Sequence, residues 1–168
     1  MENPRFNTWI RKKGVIDFYE LYAMVPDFFQ TRRFFIQERQ FKQKKGTAKG
    51  KEFEVFWFIA RKIDEYKKYE AEVYIYIDNA VEVEVEKDGK KKKMFKGDAH
   101  IRLQMAIRND WQKKWTGPFK SRLKKFYEGY VIDEELRARV AEMYHIMFEL
   151  SEKIKQVLEI EGATHWLK

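Results

Sequence analysis

Lysines and large aromatic rings recur together in three connecting segments of the chain, residues 64–68, 87–90 and 109–117 with their flanks. The cations are Lys67, Lys68, Lys87, Lys90, Lys91, Lys92, Lys113 and Lys114, and the rings are Tyr66, Trp111 and Trp115. The chemistry this combination supports is recognition of a single-stranded nucleic acid. Ammonium groups neutralise phosphates, and each base stacked on a ring contributes roughly 1–3 kcal/mol. The competing account is structural. Lysines at turns form a solvated rim that discourages edge-to-edge aggregation, and Trp111 and Trp115 then pack beneath the sheet edge.

Other chemistries find less support. Glu82, Glu84 and Glu86 alternate with Val81, Val83 and Val85. On one strand face these carboxylates sit about 6–7 Å apart, a spacing open to paired acid–base work. An Asp88-Gly89 two-residue turn, however, sets Glu86 opposite Lys91 and Glu84 opposite Lys93, where cross-strand pairing contributes a few tenths of a kcal/mol. Neighbouring lysines also hold carboxylates ionised, which suits a salt bridge better than a general acid. The histidines, His100, His145 and His165, have no carboxylate at metal-ligand spacing, and His145 reads as a partly buried helix residue. With two serines and no cysteine, covalent acyl transfer has few candidate nucleophiles. Nucleophile-elbow, phosphate-loop, dinucleotide-binding and paired-histidine zinc motifs are absent. No catalytic residue, metal or cofactor is assigned.

Composition sets the frame for these residues. At 168 residues the chain is read as one domain, with flexible ends at about 1–4 and 163–168. A chain of this size buries roughly 70% of its unfolded surface and needs no staples. The lack of cysteine fits a reducing compartment, and the expected location is the cytoplasm. No apolar run reaches the length of a membrane span, and residues 1–14 have no signal-peptide core. Abundant Lys and Glu with little Ser and Asn lean toward a thermophilic composition. The net charge is +8, divided between +11 over residues 1–132 and −3 over residues 133–168. Such an excess draws an anionic partner by long-range attraction. Aromatic residues make up 17% of the chain, and most of those rings belong in a core.

The elements that must position these side chains follow from periodicity. Residues 5–10 read as a short strand. Phe18, Leu21, Tyr22 and Val25 form a helical stripe that Pro26 interrupts, predicting helices over 15–24 and 26–31. Residues 33–42 look extended, and 42–51 form a polar loop containing Gly46 and Gly50. Residues 52–63 alternate with Phe53, Val55, Trp57 and Ile59 on one face. Residues 69–77 place Val73, Ile75 and Ile77 on one face and Tyr74 and Tyr76 on the other. Asp78-Asn79 reads as a turn, 80–96 as a hairpin that buries its valine face, and 98–108 as a strand with Ile101, Leu103, Met105 and Ile107 inward. Six strands with short connections argue for an antiparallel meander. Parity then places turns 64–68, 87–90 and 109–117 at one end, and turns 43–51, 78–80 and near 97 at the other. Phe119, Leu123, Phe126 and Tyr127 mark a helix over 118–130. A long helix starts at Asp133 and ends near Gly162, with Leu136, Val140, Met143, Met147, Leu150, Ile154 and Val157 recurring every three or four residues. It is the natural cover for the sheet's apolar face. The outer face, with Phe56, Phe58, Tyr74, Tyr76 and Arg102, is a second candidate surface, free to stack bases or form a dimer unless the N-terminal helices cover it.

This order of elements is similar to the helix-grip fold of START-like and pollen-allergen-like proteins. The resemblance rests on element order across nearly the whole chain, and no motif carries it. It implies a curved sheet wrapped around the last helix, often with an apolar cavity, and it transfers no functional residue. The expected fold is therefore α+β, an antiparallel meander of about six strands on a long C-terminal helix with short N-terminal helices. The expected function is non-catalytic binding of RNA or another polyanion through the basic, aromatic end of the sheet. Two alternatives stand beside it. One is carriage or sensing of a small apolar ligand in a cavity lined by Trp57, Ile75, Met105, Met143 and Met147. The other is a structural or assembly subunit that uses the outer aromatic face.

Overall fold

Strict alternation of apolar and polar residues dominates the middle of the chain, and it builds one antiparallel sheet. The computed structural model describes residues 4–45, 50–113, 117–130 and 133–159. The elements are β1 (Arg5–Ile16), α1 (Phe18–Gln30), β2 (Phe35–Lys44), β3 (Lys51–Lys62), β4 (Lys67–Lys87), β5 (Lys90–Asn109), α2 (Pro118–Tyr130) and α3 (Asp133–Val157). The fold is α+β. Five strands lie in the order β1-β5-β4-β3-β2, so β2 to β5 form a meander and β1 returns to pair with β5. The inward positions named by alternation are buried on every central strand, from Phe53, Val55, Trp57 and Ile59 to Ile101, Leu103, Met105 and Ile107. Helix α3 covers them with Met143, Ile146, Met147, Leu150 and Ile154, all in the same core cluster. Exposed His145 lies off that stripe, against the expectation of partial burial.

Helix α1 packs on the same face. Asp17 caps it by accepting a hydrogen bond from the Glu20 backbone N–H at 3.1 Å. Phe18 then stacks on Phe53 with ring centroids 4.4 Å apart. The helix runs through Pro26 rather than breaking there. An interior proline costs about 3 kcal/mol, but Phe18, Leu21, Val25, Phe28 and Phe29 are all buried, and each contributes about 1.5–3 kcal/mol.

Four meander strands, β2 to β5, replace the expected six because two predicted breaks are absent, and β1 makes the fifth strand of the sheet. Asp78-Asn79 is a bulge inside β4, and β5 runs without interruption past residue 97. Asn79 takes the left-handed conformation at φ 53°, which asparagine tolerates, so the extra residue is absorbed within the ladder. Glycines flank the bulge on both sides. A Cβ at Gly97 would lie 2.6 Å from the Asp78 carbonyl oxygen, and one at Gly50 would lie 2.9 Å from the Ala80 oxygen. The bulge also reverses the side-chain phase. Ile77 and Ala80 are both buried, and Val81 is 52% exposed instead of inward. Beyond it the hairpin forms as predicted at its tip: Asp88 and Gly89 have φ 53° and 73°, and Glu86 lies opposite Lys91. Lys93 reaches diagonally to Glu82 at 3.1 Å rather than to Glu84 directly across.

The two ends of β4 meet opposite ends of α3. Lys67 pairs with Glu135 at 3.3 Å, and Lys87 pairs with Glu159 at 3.0 Å just past the helix. The strand contour between those lysines is about 65 Å at roughly 3.3 Å per residue. The helical path between those glutamates is about 36 Å at 1.5 Å per residue. The sheet therefore curls around α3, concave toward the helix. Glu135, Glu142 and Glu149 recur every seven residues, two helical turns, and so share one side of α3. They meet Lys67, Arg61 and Arg32 respectively. Glu142 also accepts from the Tyr69 hydroxyl at 2.8 Å and from Arg139 at 3.2 Å. Burial alone would raise its carboxyl, but the hydrogen bonds from Tyr69, Arg61 and Arg139 outweigh that and hold it below the usual carboxylate range.

Two outcomes follow for stability. Gly97→Ala should destabilise by about 1–3 kcal/mol in urea unfolding, because the clashing partner is backbone that cannot rotate away. Glu142→Gln should lose about 1–3 kcal/mol at neutral pH, since it removes charge-assisted bonds that are only partly screened. The folded carboxyl titrates below its ordinary value, so its contribution is full above about pH 4.5 and disappears as pH falls through the lower folded value. The variant's unfolding curve should accordingly be flatter than the wild type's across that acid range.

Candidate nucleic-acid interface

The bulge at Asp78–Ala80 rearranges the basic, aromatic residues. With β4 continuous, the β4–β5 turn lies at the opposite end of the ladder from Lys67, which pairs with Asn109. Lys67, Lys68, Trp111 and Lys113 therefore gather at one end, and Lys87, Lys90, Lys91 and Lys92 at the other. The shared end predicted by parity does not form, because that prediction counted Asp78-Asn79 as a reversal of the chain. Lys114 and Trp115 lie outside the described residues.

Neither cluster presents all its cations. Lys67 is 2% exposed and turns inward, where it meets Asp64 at 3.4 Å and Glu135 at 3.3 Å, so it is a structural cation rather than a phosphate ligand. Lys68 pairs with Glu70 at 2.7 Å and lies 5.4 Å from the centroid of the Trp111 ring. The indole of half-buried Trp111 donates to the Asp64 carbonyl oxygen at 3.3 Å, which ties the ring to the β3–β4 turn. Lys113 is exposed beside it. At the hairpin tip, Lys87 pairs with Glu159, and Lys92 pairs with Asp17 and Glu20. Lys90 and Lys91 are exposed and have no acidic partner among the described residues.

A better combination of rings and cations lies on the convex face of the sheet. Period-two alternation turns Phe56, Phe58, Tyr74, Tyr76 and Arg102 outward, and strand pairing aligns them into rows. Trp9 lies opposite Arg102, Arg102 opposite Tyr74, and Tyr74 opposite Phe56. The next row runs Arg11, His100, Tyr76 and Glu54. The Arg102 guanidinium sits 5.7 Å from the Trp9 ring centroid and 5.8 Å from that of Tyr74. Its Nε is shielded from solvent and has no hydrogen-bond partner, and the side chain has no carboxylate partner among the described residues. Arg39 lies over Phe58 at 4.3 Å in the same way. Helices α1 and α3 both occupy the concave side, so neither covers these rows.

The electrostatics of this face are mixed. Arg5, Arg11, Lys13, Arg39 and Arg102 have no ion-pair partner among the described residues. Glu70 is held by Lys68 and by Arg108 at 2.7 Å; burial would raise its carboxyl, but these two bonds keep it below its ordinary value. Burial, with the hydrogen bond to Glu54 at 3.0 Å, pushes the Tyr74 phenol up to about 12, so it remains a neutral ring at ordinary pH. Beside the rows, Arg5, Asn7, Phe58, Glu72, Gln104 and Arg108 line a shallow depression of about 240 Å³. Trp9 and Arg11 were not legible as site residues. Only the return of β1 to β5 brings them beside Arg102 and His100.

The residues proposed to line an apolar cavity are all interior. Trp57, Ile75, Met105, Met143 and Met147 are at most 2% exposed and belong to one packed cluster. Among the described residues, no three His, Cys, Asp or Glu side chains are grouped to hold a metal ion, and no helix is long and apolar enough to cross a membrane. Comparisons with protein-family models and with curated proteins find no match.

Proposed function

We propose that the protein is a non-catalytic binder of single-stranded RNA or a chemically similar polyanion, and that the convex face of the sheet is the surface that holds it. The observation that carries this reading is the row Trp9–Arg102–Tyr74–Phe56, in which a guanidinium lies between two rings without a carboxylate partner among the described residues. Splayed bases stack on aromatic side chains and on guanidinium planes, and an open sheet face offers several such positions at once. The five cations without acidic partners supply phosphate contacts along the same face. We also read the fold as helix-grip-like, on the support of the element order and the curl of β4 around α3. We read the interior as packed core rather than a carrier's cavity, since its candidate lining residues belong to one cluster of buried side chains.

Fluorescence anisotropy with labelled mixed-sequence single-stranded RNA tests the proposal. Affinity should fall with salt, and log affinity plotted against log salt should have a slope of about −3.5 if all five cations engage, at roughly 0.7 per phosphate. Trp9→Ala should weaken binding about 5- to 150-fold, the equivalent of one stacked base. Trp9 is 50% exposed on an edge strand, so the fold should tolerate the change. Arg102→Ala should weaken binding as well. Glu70→Gln should tighten it by freeing Lys68 and Arg108. No binding at low salt would end the proposal. Loss on Lys90→Glu with Lys91→Glu, while Trp9→Ala is silent, would move the site to the hairpin tip. A dimer in light scattering that Trp9→Ala dissociates, with no RNA bound, would make the face an assembly surface.

A further inference from the structure

Helix α2 has a feature that the sheet surface does not explain. Phe119, Leu123 and Phe126 are 77%, 46% and 61% exposed, in a molecule whose other apolar residues mostly reach the core. At 100° per residue the three fall within about 60° of one another, forming a single stripe. Lys120, Arg122, Lys124 and Lys125 lie off that stripe, with Arg122 flanking it on one side and Lys120 on the other, and Glu128 is the one acidic residue of the helix sequence. No acidic residue occurs from Pro118 to Tyr127. Lys124 pairs with Asp110 at 3.4 Å, at the exit of β5. It lies about 140° around the helix from Phe119, so this tie leaves α2 from a side away from the stripe.

We infer that α2 is a membrane-surface helix that docks the protein on anionic lipid. A helix of 13 residues is about 20 Å long. Lying flat, it buries its stripe at the boundary between headgroups and acyl chains. Arg122 and Lys120 then reach sideways to lipid phosphates while their aliphatic stems cover apolar surface. Charge complementarity selects this occupant. A run of cations with no acid among them fits a negatively charged leaflet, and a short stripe of two phenylalanines and a leucine suits shallow insertion without spanning. The inference is independent of the RNA surface, since α2 contributes no residue to the convex rows.

Co-sedimentation of the full chain with vesicles tests it. One set is phosphatidylcholine alone, and the other is an equal mixture of phosphatidylcholine and phosphatidylserine. The expected result is binding to the mixed vesicles only, reversed by high salt. Phe119→Ser with Phe126→Ser should reduce that binding at least tenfold, as should Lys120→Glu with Lys125→Glu, and Trp9→Ala should leave it intact. All four α2 side chains are exposed, so circular dichroism should find both double variants folded. Absence of binding to mixed vesicles would overturn the inference. So would undiminished binding of the Phe119→Ser, Phe126→Ser variant, which would assign the attraction to cations elsewhere. Self-association abolished by that variant, without vesicle binding, would make the stripe a contact between copies of the chain.

Discussion

The bulge at Asp78–Ala80 is the constraint on which the rest of this structure depends. A continuous strand of twenty-one residues without it would be too straight to meet α3 at both ends. With it, β4 and β5 bend, one face of the sheet closes on α3 and α1, and the other is left convex and open. The bend requires close backbone approach from both neighbouring strands, which is why Gly50 and Gly97 stand there. The concave core, the uncovered rows of rings and the separation of the two lysine clusters are all consequences of this one corner.

Charge follows the same geometry. The positive excess of residues 1–132 and the negative excess of the C-terminal segment partly cancel inside the molecule, because Glu135, Glu142 and Glu149 face Lys67, Arg61 and Arg32 across the sheet–helix seam. Three of the cations that suggested an anionic partner are therefore engaged in holding α3 to the rest of the fold. What remains for a partner is smaller and better located. Arg102 and its neighbours on the convex face matter because no carboxylate among the described residues answers them, not because they are numerous.

Local pattern made much of the fold legible, and non-local pairing explains what was missed. Alternation from Phe53 to Ile59 and from Ile101 to Ile107 identified the buried face correctly, since period two is a property of the strand itself. The stripe Met143–Met147–Leu150–Ile154 was equally readable as the covering helix. Asp78-Asn79 was misread because an Asp-Asn pair has the same local chemistry in a turn and in a bulge, and only the glycines across from it decide between them. That single difference reversed the valine face of the hairpin and moved Lys87–Lys92 to the far end. Lys67 looked like a surface lysine because the carboxylate that holds it, Glu135, is distant in sequence. Of the candidate surface, Phe56, Phe58, Tyr74, Tyr76 and Arg102 were visible as an outward set. Trp9 and Arg11 were not, because their place depends on β1 crossing to β5.

That crossing bears on how the chain acquires its structure. Arg5 pairs with Ala106, so the first strand to be made must wait for the last before it has a neighbour. The helix that closes the concave face is made later still. During synthesis β2, β3, β4 and β5 can zip together by short turns with α1 on one part of their apolar face, but Tyr69, which bonds to Arg139 and Glu142, lacks its cover until α3 arrives. Pairing between segments so far apart in sequence is slow, because the intervening loop must be closed before any contact compensates for it. The nascent meander, with β1 unpaired and α3 not yet made, is thus an aggregation-prone species, and lysines and arginines along its edges disfavour association with its neighbours.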